Sequence, residues 1–165
     1  MDCLWAPWRM TYVQAARSAG DCLFCGMLAD SDDPKQFVLC RRPHAFLVLN
    51  IFPYTAGHLM AVVRRHVGAL EELTPEELAG MMGLAQEGIR ALATAYHPDG
   101  FNVGVNQGCA AGAGVAGHLH IHVVPRWNGD TNFMPVVGGT KVVPESLEAT
   151  FARLSPRFQS AAGPP

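Results

Sequence analysis

The chain has 165 residues, about half of them apolar and only 16% charged. That length accommodates one domain with a sizeable core, not two. A net charge of −2 and a pI near 6.4 exclude a basic footprint for duplex nucleic acid. So low a charged fraction leaves apolar surface that a second copy of the chain would cover.

The opening MDCLWAPWRM places Asp2, Pro7 and Arg9 where a secretory signal carries its apolar core, so no signal is expected. Residues 45–63, the best candidate membrane span, are broken by Asn50, Pro53, Gly57 and His58, so no membrane partner is expected. Five cysteines, an odd number, do not suggest a disulfide framework. A reducing cytoplasm is the expected location.

In chain order, residues 36–40 and 45–49 are β-rich runs split by Arg41-Arg42-Pro43, and they predict a hairpin. Residues 51–57 hold Pro53 and Gly57 and predict a turn, and residues 58–64 a third strand. Thr74, Pro75 and Glu77 form a capping box with proline at the first helical position. Leu78, Met81, Met82, Ala85, Ile89, Leu92 and Tyr96 then recur at helical spacing, with the Met81-Met82 pair expected in the core. The helix is expected to run to about Tyr96 and stop before Pro98. Residues 101–105 and 119–124 predict two more strands, and 144–154 a last helix ended by Pro156. Strands mostly sequential, with one long helix, predict an α+β fold with an antiparallel sheet of about five strands. A single domain is expected over residues 1–157, and a flexible tail over 158–165.

Residues 100–125 form 26 consecutive positions without Asp, Glu, Lys or Arg, six of them glycine. The run ends in Gly117-His118-Leu119-His120-Ile121-His122-Val123-Val124. Strand alternation puts His118, His120 and His122 on one face and Leu119, Ile121 and Val123 on the other. The apolar face suits packing on the long helix. Same-face neighbours sit about 7 Å apart, which makes convergence of all three imidazoles on one metal awkward. One imidazole can instead act as a nucleophile that its neighbours orient. Backbone N–H groups of the glycine-rich loop 106–117 suit phosphate oxygens, and no carboxylate repels an anion there.

This run matches the histidine triad motif, His-φ-His-φ-His-φ-φ, at every position. Asn50, Pro53, Gly57-His58, Asn102, Asn106 and Gly108 resemble supporting positions of nucleotide-processing members of that superfamily, over roughly residues 22–127. Residues 4–9 and 129–135 resemble flanks of bacterial members related to diadenosine tetraphosphate phosphorylases. The resemblance implies a triad-type fold with short N- and C-terminal helices, and a homodimer. It implies that His120 attacks an α-phosphorus to form a nucleotidyl-histidine, that His122 donates to a phosphate oxygen, and that His118 is structural. It implies that Asn50 bonds the ribose of an adenine nucleotide. Asn106 and the amides near Gly108, Gly112 and Gly114 would hold phosphate.

The acceptor decides the reaction: phosphate makes a phosphorylase, water makes a hydrolase releasing AMP. A nucleotide-binding regulatory protein without turnover is the reading from another class. Residues 113–117 carry no hydrogen-bonding side chain where many members have Gln, Ser or Thr to assist the leaving group. That departure tilts the expectation toward an anionic acceptor.

Cys22-Leu23-Phe24-Cys25 alone is either a metal pair or two buried thiols. The resemblance adds His66 and His118, giving a closed Cys2His2 set for structural zinc. Cys3, Cys40 and Cys109 are expected to be packing residues. Arg126 and Lys141 are read as surface charges before phosphate ligands, and Trp5, Trp8 and Trp127 as core or interface before base-stacking residues.

Overall fold

A computed structural model describes residues 22–131 and 144–159. Five strands form one sheet: β1 (Val38–Arg41), β2 (Ala45–Leu49), β3 (Leu59–Val63), β4 (Gly100–Val105) and β5 (His120–Arg126). All neighbours are antiparallel, in the order β1-β2-β3-β5-β4. The last strand in sequence therefore inserts between the third and fourth. Helix α1 spans Leu23–Ala29, α2 Pro75–Tyr96, α3 Leu147–Leu154 and α4 Pro156–Gln159.

The sheet is covered on both faces, which is why β2 and β3 read as continuous apolar runs rather than alternating ones. On one face Leu47, Leu59, Ala61, Leu119, Ile121 and Val123 meet Met81, Leu84, Ala85 and Leu92 of α2. On the other face Phe46, Val48, Met60 and Val62 meet Phe24 and Met27 of α1. Gly88 lets α2 approach this closely, because a Cβ there would lie 3.0 Å from Leu59 Cδ1.

The expected capping box of α2 is present: Glu77 N–H donates to Thr74 Oγ1 and Thr74 N–H donates to the Glu77 carboxylate. Arg65 donates to both Glu77 oxygens at 2.8 Å. These bonds, the arginine's first, hold the Glu77 carboxyl at about 2, well below 4.5. Glu77→Gln is therefore expected to lower stability near neutral pH by about 1–2 kcal/mol, a figure kept small because Arg65 is half exposed. A carboxyl with a depressed folded-state pKa stabilises above its unfolded value and ceases to as pH falls. The difference in unfolding free energy between wild type and variant should hold above pH 4.5 and shrink toward pH 2. A gap that stays constant over that window refutes the assignment.

Several boundaries and faces differ from expectation. Leu78 and Met82 are exposed, at 41% and 44%, while Leu84, Gly88 and Ala91 are buried in their place. The apolar stripe is thus centred one residue row away from the one read from spacing, because α2 presents its small residues to the sheet. Helix α3 starts at Leu147, not at 144, because Ser146 caps it by accepting from Ala149 N–H. Pro156 opens α4 rather than ending the structure, since proline suits a first helical turn. Phe158, expected in a tail, is buried in the main core. Residues 160–165 lie outside the described residues, as do Cys3, Trp5, Trp8, Lys141 and residues 132–135. Cys40 is buried as expected, but Cys109 is exposed because it sits on the outward 3-10 turn Cys109–Ala111.

Candidate active site and metal centre

Antiparallel pairing with β3 and β4 makes β5 an internal strand and turns its histidine face toward α1. His122 lies opposite Met60 on one side and Gly104 on the other, and a Cβ at Gly104 would meet nothing within 4 Å. No β4 side chain therefore stands opposite His122 in this register.

His120 is buried, with Nδ1 2.9 Å from the His118 carbonyl oxygen. A carbonyl only accepts, so Nδ1 carries the proton and Nε2 keeps its lone pair. Burial pushes the imidazole below its ordinary pKa, so the ring is neutral at pH 7. Phe24 lies 5.1 Å from it and His122 4.8 Å, centroid to centroid. A neutral imidazole held by one nitrogen, with the other left basic, can serve as a nucleophile.

His118 is held in the opposite sense. Its Nε2 donates to the Val63 carbonyl at 2.7 Å, which leaves Nδ1 as the basic atom. That Nδ1 lies 3.3 Å from Cys22 Sγ and 3.6 Å from Cys25 Sγ, and His66 Nδ1 lies 3.3 Å from Cys25 Sγ. All four donor atoms fall within 4.8 Å of one another. Tetrahedral zinc, with bonds of about 2.0–2.3 Å, spaces its ligands roughly 3.3–3.8 Å apart, which the three donor pairs at 3.3, 3.3 and 3.6 Å match. The backbone acceptor on His118 is the kind of outer partner that orients a metal-bound imidazole.

Asn50 begins the turn before β3. Its N–H donates to the His58 carbonyl at 2.9 Å and its Oδ1 accepts from Phe52 N–H at 2.9 Å, which fixes the side chain beside His58. Gly57 closes this turn at φ +77°, where a Cβ would lie 2.7 Å from Leu92 Cδ2. Asn106 follows β4 and opens the glycine loop. Gly108 and Gly112 adopt φ +80° and +85°, flanking the 3-10 turn. Gly112 N–H is engaged with the Cys109 carbonyl at 3.0 Å, whereas Gly108 and Gly114 N–H have no backbone acceptor among the described residues. Arg126 pairs with Asp130 at 2.6 Å and donates to Asn102 Oδ1, in keeping with its reading as a surface charge.

Residues 32–129, more than half of the chain, match the HIT domain. The chain belongs to the HIT family. It is 42% identical over 154 residues to the AP-4-A phosphorylase of Mycobacterium tuberculosis, covering 89% of this chain and 79% of that protein. Among solved structures, a Zn-bound histidine triad family protein from Mycobacterium smegmatis superposes with a TM-score of 0.68 at 28% identity, covering 88% of this chain and 96% of that one. A diadenosine triphosphate hydrolase from Plasmodium falciparum gives 0.58 at 17% identity, covering 76% of each chain, a likeness of fold alone. This HIT protein thus has the α+β fold its sequence implied, and is an enzyme of the HIT nucleotide phosphohydrolase and transferase class.

Two side chains at the HIT site take their contacts with the triad only from the fold. His58 is buried, and its Nδ1 accepts from Tyr54 N–H at 3.1 Å. In the neutral ring its Nε2 therefore donates to His122 Nδ1, 3.0 Å away. His122 is left with its proton on Nε2. Phe24 packs against His118 and His120 from between the two cysteines of α1. The α1 helix, at seven residues, is too short to announce a buried face by periodicity. The Gly57-His58 pair, eight residues on from Asn50 and after a turn, resembles a supporting position of the family in the sequence alone, but its contact with His122 does not show there.

Proposed function

We propose that this HIT protein is a dinucleoside polyphosphate phosphorylase acting on diadenosine tetraphosphate or a close relative. The observation that carries the proposal is the orientation of His120, a neutral ring whose Nδ1–H donates to the His118 carbonyl. The likeness to a mycobacterial AP-4-A phosphorylase supplies the substrate class.

In the proposed sequence His120 Nε2 attacks the α-phosphorus, forming an N–P bond as the P–O bond to the polyphosphate breaks. His122 Nε2–H donates to the departing oxygen, and ATP leaves. Inorganic phosphate then attacks the same phosphorus, breaks the N–P bond and leaves as ADP. Asn50 bonds the ribose, and Asn106 with the amides of Gly108 and Gly114 holds phosphate oxygens. Gly112, whose N–H is engaged within the loop, acts by shaping the turn. Zinc held by Cys22, Cys25, His66 and His118 supplies no step; it clamps α1, and with it Phe24, behind the reacting histidine.

The loop argues for phosphate over water. Residues 113–117 offer only backbone donors, which favour an anion. Turnover of diadenosine tetraphosphate is expected to give ADP and ATP, at a rate that rises to saturation with phosphate. Accumulation of AMP, with phosphate acting only as an inhibitor, would make the enzyme a hydrolase.

The same reading takes the chain as one domain and as a homodimer in a reducing cytoplasm, where the two zinc-binding thiols stay reduced. Support for the dimer comes from β4, an edge strand whose Val103 is 45% exposed. Light scattering at micromolar concentration should return twice the 17.7 kDa chain mass. A monomer at that concentration rejects the dimer.

A further inference from the structure

Both ends of the glycine loop are tied to one short segment, residues 66–71, and the tie at the first end is a single side chain. Gln107 Oε1 accepts from Leu70 N–H at 2.9 Å, and Gln107 Nε2 donates to Glu71 Oε2 at 2.9 Å. At the other end Leu119 N–H donates to the Val67 carbonyl at 2.7 Å. Gly68 lies so close to that end that a Cβ would sit 2.8 Å from Ala116 O. The segment is itself braced, because Arg65 donates to the Glu72 carbonyl at 2.7 Å as well as to Glu77.

The loop between these ties is fixed unevenly, its second half packing inward through Ala113 and Val115. Six of the 26 uncharged residues around it are glycine. Backbone bonds close the turn at residues 108–113 and join His118 N–H to the Val115 carbonyl. The mostly exposed first half, residues 107–111, therefore depends most on the Gln107 tie. A loop that binds an anion through backbone N–H groups does so well only if those groups are already aimed, since ordering them on binding costs affinity. Gln107 is exposed and uses both ends of its amide on residues 70 and 71. Its chemistry is therefore directed at the brace rather than at the substrate.

We propose that Gln107 is a positioning residue for substrate phosphate: by bridging Leu70 and Glu71 it pre-orders loop 106–117 and so sets the affinity for the polyphosphate. The inference rests on the reading of that loop as the phosphate cradle. His66, at the start of the brace, belongs to the metal cluster, so the clamp and the cradle share one short segment.

The test uses the full-length enzyme loaded with its metal. Gln107→Leu and Gln107→Glu should each raise KM for diadenosine tetraphosphate about three- to tenfold, with kcat within about twofold of wild type, the scale of one or two exposed hydrogen bonds. Backbone amides of residues 108–117 should exchange hydrogen faster in both variants without substrate, while zinc content and melting temperature stay unchanged. Adding Glu71→Gln to Gln107→Glu exchanges donor and acceptor across the same pair and should restore KM and exchange together. Failure of that pair to restore KM, despite restored exchange, would mean that Gln107 touches substrate directly, which overturns the positioning role. Unchanged KM in both single variants, with wild type turning over normally, removes this inference alone. Wild-type enzyme that does not turn over diadenosine tetraphosphate removes the functional reading, and this inference with it.

Discussion

His120→Ala is expected to lower kcat for diadenosine tetraphosphate by roughly four to six powers of ten while nucleotide binding persists. The size follows from the role. Without the imidazole there is no N–P intermediate, and phosphate or water must attack the α-phosphorus directly. At about 1.4 kcal/mol per tenfold, the loss is roughly 5–8 kcal/mol of transition-state stabilisation. Binding should survive because Asn50 and the loop amides do not depend on the ring. Rapid-quench kinetics and equilibrium binding separate the two, and acid-quenched wild-type enzyme should carry a nucleotide on His120. A variant that turns over within tenfold of wild type would leave a non-covalent mechanism or another nucleophile. His58→Ala tests the adjoining step: it removes the His58 contact to His122 Nδ1, 3.0 Å away. A loss of about ten- to a hundredfold in kcat, larger for substrates with poor leaving groups, is expected for impaired proton donation. Equal losses across leaving groups would count against proton donation by His122.

Removing the metal is expected to have the largest effect on stability. Two cysteines and two histidines whose donor atoms lie within 4.8 Å of one another would be held together by a cation, and structural zinc sites contribute on the order of 10 kcal/mol to folding. In a chain of this size each kcal/mol moves the melting temperature by about 2–4 °C, so strong chelation or Cys22→Ala should lower it by well over 10 °C. Activity should fall with it, because Phe24 sits between the two cysteines and packs on His120. Elemental analysis should find one zinc per chain in the wild type and little in Cys22→Ala. Cys109→Ser, at an exposed cysteine outside the cluster, should leave zinc content and melting temperature unchanged. Well under half a zinc per chain in protein purified without chelator would reject the centre.

Much of this was legible in the chain because it depends on local geometry. The helix of residues 75–96 is signalled by its own capping box and apolar spacing, both properties of neighbours within one or two turns. That His118, His120 and His122 share a face follows from strand alternation, which holds whatever the strand pairs with. The same local logic failed at Leu78 and Met82. Spacing gives the stripe's period, but the sheet decides which row it buries, and Gly88 allows a close approach to Leu59.

Contacts between residues far apart in sequence come from the fold alone. His58 meets His122 across 64 residues because β5 inserts beside β3 in one antiparallel register. That contact engages Nδ1 of His122. The carbonyls of Val63 and His118 turn two histidines two residues apart to opposite uses, one offering Nδ1 to the cysteines and the other keeping Nε2 basic. Gln107 reads as one more polar loop residue until the fold brings residues 70 and 71 against it. Side-chain period and backbone capping are short-range and are carried by the order of residues. Tautomers, metal geometry and loop bracing are set by strand order and register, which the chain specifies only through the packing of the whole sheet.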